Sequence, residues 1–269
     1  MELTSVIDGT HNARDLGGIA LDDGAVVASG VVFRSDALAT LTPAGVQSLL
    51  DLRIGTVIDL RTDNERHRAP DILPSGGEAR LVELSILGGA MDELVKQLLP
   101  SDDHAALDQA QIAALVEQIP TLDELYIAIL QSSAPQFAQV ARTVAESAGT
   151  ERPGVLFHCT AGKDRTGIAA ALLLTVAGAD RDAIVADYEL TQTNLAGAFA
   201  DALTGLITQL GIPLVPRLET LATKSPGSAI TAALDWIDAN HGDVAGYLRS
   251  GGLTDAELDG VHRALRGTA

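Results

Sequence analysis

Residues 158 to 167 read His-Cys-Thr-Ala-Gly-Lys-Asp-Arg-Thr-Gly, which sets five residues between Cys159 and Arg165. A loop of that length can curl until successive backbone N–H groups point inward and make a nest for the oxygens of an oxyanion. The apolar run after Thr166 predicts a helix, and its N-terminal dipole would lie beneath the same anion. Arg165 adds a planar fork that holds two oxygens at once, which lysine does not reproduce. Donors that hold an anion also favour Cys159 as a thiolate, and a thiolate attacks phosphorus.

Within this segment Cys159, Arg165 and Asp164 are the expected catalytic residues. His158, Thr160, Ala161, Gly162, Lys163, Thr166 and Gly167 make up the binding loop around them. Gly162 permits a positive φ at the tightest turn. The Thr166 hydroxyl is expected to hydrogen-bond the sulfur, and His158 to orient the loop rather than transfer protons. Asp164 is the leading proton donor because it lies in the loop itself, with Asp92 as a weaker alternative. The chemistry calls for no metal and no cofactor. A lone cysteine after an apolar strand is commonly just a small buried hydrophobe. The coincidence of His, Cys, Gly and Arg at fixed spacing speaks against that here.

The elements that must position the loop can be read from periodicity. Gly30 to Phe33, Thr56 to Leu60, Arg80 to Ile86 and Gly154 to Phe157 predict strands. Thr42 and Pro43 predict a capped helix running to about Leu52. The segment 88–133 predicts helix interrupted at Pro120, followed by a separate helix over 136–146 and a buried one over 166–177. Beyond Gly178, helices are expected over 182–190, 194–210, 217–222, 228–239, 244–248 and 254–265. Strands come early and helices late, so the expected class is α/β, a sheet with C-terminal helices packed around it.

Of the 269 residues, 46% are hydrophobic and 20% charged, enough apolar material for a substantial core. The formal net charge of -18 opposes nucleic acid or an anionic membrane as partner. The longest apolar run, 168–177, is too short to cross a bilayer. With one cysteine there is no intrachain disulfide, and residues 1–15 lack a basic stretch leading into an apolar core. The expectation is a cytoplasmic protein, with secretion by a route without a signal peptide still open.

The pattern His-Cys-x5-Arg-Thr resembles the signature of the protein tyrosine phosphatase superfamily. Its Gly162-Lys163-Asp164-Arg165 form is similar to an atypical bacterial branch with mycobacterial and Listeria members. Asn12 to Gly18, Phe33-Arg34-Ser35, Asp59-Leu60-Arg61, Ala186-Asp187-Tyr188 and Gly246-Tyr247-Leu248 resemble it too. These segments span nearly the whole chain, so one domain over 1–269 is expected. The resemblance implies a central, mostly parallel sheet flanked by helices, with the phosphate loop at a strand's C-terminal end and a helical C-terminal half. It also implies hydrolysis of phosphotyrosine through a cysteinyl-phosphate, with inorganic phosphate as product. Phosphoserine, phosphothreonine and phosphoinositides are substrates of some relatives.

The resemblance leaves several readings open. Lys163 would contact a second phosphate, or be a solvated loop charge. Segment 88–133 would be a helical lid over the site, or simply pack on the core. Asp59, Arg61 and Asp63 would face the cleft, or form structural ion pairs, as would Arg14 and Asp15. The sequence departs from the common eukaryotic pattern in lacking a Trp-Pro-Asp loop, since its one tryptophan, Trp236, precedes Ile237. No clear aspartate follows the third strand, over 84–88, either. The alternative to an enzyme is a silent phospho-ligand binding module, whose usual mark would be loss of the cysteine or the arginine.

Overall fold

The computed structural model describes residues 5–86, 119–209 and 212–266. Its strands are β1 (Arg14–Asp15), β2 (Val32–Ser35), β3 (Ile54–Asp59), β4 (Arg80–Glu83) and β5 (Gly154–His158). They form one sheet in the order β1-β2-β5-β3-β4, parallel throughout except for β1, which runs antiparallel to β2. The expected mostly parallel sheet is therefore present.

Side-chain alternation along these strands divides the interior into two cores. Val155 and Phe157 of β5, Val32 of β2 and Ile58 of β3 enter the larger one, while Leu156, Phe33 and Val57 enter the smaller one on the opposite face. With both faces covered, β5 reads as a continuous apolar run, as a central parallel strand should. Each such side chain, fully withdrawn from water, contributes roughly 1.5–3 kcal/mol.

Ten α-helices surround the sheet among the described residues. Helix α1 (Pro43–Asp51) covers the smaller core and is capped by Thr42, as expected. Then come α2 (Asp63–Arg68), α3 (Leu122–Ser147), α4 (Asp164–Ala177) and α5 (Arg181–Asn194). The chain continues through α6 (Ala198–Gln209), α7 (Pro216–Thr223), α8 (Gly227–His241), α9 (Val244–Ser250) and α10 (Asp255–Arg266). Helix α4 is buried on nearly every face, and α3, α8 and α10 supply the larger core around it. No described helix is long and apolar enough to cross a membrane.

The structure refines three local readings. Strand β2 begins at Val32 rather than Gly30 and carries the polar Arg34 and Ser35 into the interior. Helix α2 had no apolar period to reveal it, because none of its side chains is buried. The two helices expected on either side of residue 134 are present and run together as α3, the break between them being a kink at the non-helical Ser133. Pro135 explains the bend, since it removes a backbone donor and crowds the preceding turn. Residues 122–133 of the expected lid pack into the core through Leu122, Tyr126, Ile129 and Leu130. Residues 88–118 of it, including Asp92, lie outside the described residues.

Candidate active site

Ser35, His158 and Asp59 stand side by side at the C-terminal ends of β2, β5 and β3. The loop from Cys159 to Lys163 leaves the sheet there and enters α4, at the crevice where open α/β sheets characteristically bind ligands. What shapes the loop is the fate of its carbonyl groups. Cys159 O meets His158 Nδ1 at 3.1 Å. Thr160 O accepts from the Ala37 N–H at 3.1 Å. Ala161 O and Gly162 O both accept from Asn12 Nδ2, and Gly162 O also from Arg34 Nη2 at 2.8 Å. Four consecutive carbonyls are thus tied outward. The N–H groups of Thr160, Ala161, Gly162 and Lys163 have no main-chain acceptor among the described residues. Amides whose carbonyls face out present their N–H groups inward, which makes an anion nest.

Gly162 has φ +66°, and a β-carbon there would strike the Ser35 carbonyl, so the turn admits only glycine. Cys159 is buried at the start of the loop, and Thr166 has a buried hydroxyl with no hydrogen-bond partner among the described residues. The expected bond from Thr166 to the sulfur is therefore not formed in this structure. Gly167 lets α4 approach the Tyr188 ring.

The outward ties rest on buried charge. Asp187 of α5 pairs with Arg14 at 2.8 Å and with Arg34, and Thr191 lies within hydrogen-bond distance of both arginines. Burial works against the Asp187 carboxylate, but the two guanidinium charges outweigh it and hold its pKa below the usual range. Burial, and then the charge of Arg34, pull Arg14 down to about 10, with Asp187 opposing. Asp36 accepts from the backbone N–H groups of His11 and Asn12 and so fixes the segment that carries the Asn12 amide. Arg14 thus belongs to an ion pair, while Asp15 only braces a turn through the N–H groups of Gly17 and Gly30.

On the other side of the loop, Asp59 and Asp71 enclose Arg61. Asp71 also reaches His158 Nε2 at 3.0 Å. A carbonyl and a carboxylate can only accept, so both ring nitrogens of His158 carry hydrogen. Burial lowers its pKa, yet the hydrogen bond and charge of Asp71 raise it overall. Asp59 and Arg61 are therefore a buried ion pair. Asp63 is not with them, being exposed and paired with Arg66.

Arg165 is gripped from outside the motif. Its Nη1 and Nη2 each meet a Glu65 oxygen at 2.7 Å, and Thr160 Oγ1 donates to the same carboxylate. Burial raises the Glu65 pKa, but Arg165 and the hydrogen bonds outweigh it and bring it to about 2. A carboxyl group depressed from 4.5 contributes stability in full above that pH and loses it as pH falls through about 2. Acid titration of unfolding should therefore show a loss on the order of 3 kcal/mol between pH 4.5 and 2 that is missing in Glu65→Gln. A variant that keeps the full acid slope would overturn the pairing. The sequence did carry a sign of this residue, since Thr62-x-x-Glu65 is a capping box immediately after a strand.

Lys163 follows neither expectation. It is almost wholly buried, and its Nζ donates to Leu221 O and Lys224 O at the end of α7. It is neither a solvated charge nor free for a second phosphate. Asp164 opens α4, 3.5 Å from Lys163 Nζ, and its Oδ1 accepts from Tyr126 at 2.8 Å. Asn12, Arg34, Glu65, Asp71 and Tyr126 were not assigned to the site from sequence. Their order along the chain says nothing about which of them meet the loop.

The model of the tyrosine phosphatase family matches residues 5–267. A tyrosine-protein phosphatase of Cupriavidus necator is 34% identical over 96% of this chain and 87% of its own length. The triple specificity protein phosphatase PtpB of Mycobacterium tuberculosis is 30% identical, covering 97% of this chain and 98% of its own. A tyrosine-protein phosphatase of Nostoc commune is also 30% identical, covering 87% and 73%.

Proposed function

The chain belongs to the tyrosine phosphatase family, and from that premise we propose that it removes phosphate from phosphotyrosine through a cysteinyl-phosphate. The observation that carries this reading is the row of four outward-tied carbonyls from Cys159 to Gly162. The nest and the guanidinium match a transition state whose charge is spread over three equatorial oxygens. In the first step Cys159 Sγ bonds to phosphorus, the bond to the leaving oxygen breaks, and Asp164 gives that oxygen its proton. In the second, water attacks phosphorus, the Asp164 carboxylate takes a proton from it, the S–P bond breaks and phosphate departs.

We further infer a single working unit over the matched length, supported by one apolar core that unites Leu16 with Leu265. The substrate is a phosphorylated protein rather than a phosphoinositide, because the Lys163 ammonium is already engaged by two carbonyls. The test measures phosphate release, with chelator present, from phosphotyrosine, phosphoserine and phosphothreonine peptides and from a phosphoinositide. Fastest turnover is expected on phosphotyrosine. Peptide binding without release would instead support a silent binding module, and a phosphoinositide turned over faster would overturn the substrate choice.

The proton donor makes a separate prediction. Asp164→Asn should lower kcat/KM, which reports formation of the cysteinyl-phosphate and not its hydrolysis, by about 10²–10³-fold on phenyl phosphate and by less than about tenfold on p-nitrophenyl phosphate, whose leaving group needs no proton. Equal losses on both would remove Asp164 from the role.

A further inference from the structure

Helices α3 and α5 bring one hydroxyl chain to the proposed proton donor at the start of α4. Tyr126 of α3 lies 2.8 Å from Asp164 Oδ1, and Tyr188 of α5 lies 2.6 Å from the Tyr126 oxygen. The two rings meet edge to face, 6.1 Å apart. A carboxylate only accepts, so the Tyr126 O–H must point at Asp164, and the Tyr188 O–H must then point at Tyr126. The chain has one direction.

We infer that Tyr126, backed by Tyr188, is a positioning residue for phosphoryl transfer: by holding Asp164 Oδ1 it leaves Oδ2 as the oxygen that carries the proton to the leaving group. This rests on the reading of Asp164 given above and adds the device that aims it. Among the described residues Lys163 Nζ addresses the same Oδ1 at 3.5 Å, while Oδ2 has no hydrogen bond. A carboxyl group held at one oxygen by a fixed donor cannot exchange its two oxygens by rotation. Its proton is then kept on Oδ2. Other charged or titratable groups near Asp164 are Arg165, next in α4, and the two phenols.

Both phenols suit a permanent donor. Burial, reinforced by the Asp164 charge, raises the Tyr126 pKa well above the ordinary value, and the same causes raise that of Tyr188. Neither ionises where a phosphatase would work, so the direction of donation persists. The contact also accounts for Gly167: a β-carbon there would lie 3.0 Å from the Tyr188 ring.

The test compares leaving groups. In Tyr126→Phe, kcat/KM on phenyl phosphate, which reports the first step alone, should fall about 10- to 100-fold, the loss expected for one hydrogen bond to a charged group, while that on p-nitrophenyl phosphate changes by less than about twofold. In the Asp164→Asn background the same substitution should have no further effect on either substrate. Equal losses on both esters, or additive losses in the double variant, would overturn the inference and leave Tyr126 a core residue only. Tyr188→Phe, which keeps the Tyr126 hydroxyl but removes its donor, should show a weaker loss with the same selectivity, and provides the measurement if Tyr126→Phe does not fold. Selectivity absent from Asp164→Asn itself would refute the proton-donor reading. Selectivity present there but absent from both tyrosine variants would refute only the positioning role.

Discussion

Cys159→Ser is expected to lower phosphotyrosine turnover by at least about 10⁴-fold while the phosphopeptide still binds. Serine differs from cysteine by one atom, and the nest, Arg165 and the outward ties do not depend on the sulfur. What serine lacks is a way to ionise. A serine nucleophile needs an adjacent base, and the imidazole next to it, His158, is buried with both ring nitrogens committed to Cys159 O and Asp71. Phosphate release gives the first quantity and calorimetric titration of a phosphopeptide the second. Undiminished turnover would remove the nucleophile from the mechanism, and loss of binding together with turnover would show that the sulfur shapes the loop.

Arg165→Lys is expected to cost about 10³-fold in kcat/KM although the charge is kept. Of the five N–H donors of a guanidinium, two are engaged by Glu65, which leaves three for phosphoryl oxygens. An ammonium is a compact point charge that cannot span Glu65 and the transferring group together. Drawn toward Glu65, it withdraws from the substrate. Steady-state kinetics on a phosphotyrosine peptide measures the effect, and a loss smaller than tenfold would show that charge alone suffices.

Much of the fold was legible because its physics is local. The β-branched run of β3, the apolar run of β5 and the apolar helix α4 announce burial by composition. Thr42 and Pro43 mark a helix start by their own chemistry. Elements without an apolar signal stayed hidden, namely the two-residue β1 and the wholly polar α2. Arg34 was hidden for the opposite reason. A charge inside a strand argues against burial until its partner is known, and that partner, Asp187, is 153 residues away.

By itself the sequence determined the chemistry within a single loop: a cysteine and an arginine with five residues between them, a glycine at the turn and a helix behind them. Such features depend only on neighbours along the chain, and spacing is enough to read them. The tertiary structure alone decided which distant groups complete the site. Glu65 on Arg165, Tyr126 on Asp164, Asn12 and Arg34 on the loop carbonyls, and Lys163 turned toward α7 all follow from packing α2, α3, α5, α7 and β2 around the end of β5. Side-chain hydrogen bonds act over about 3 Å in space, and a linear order of residues does not state which of them come that close.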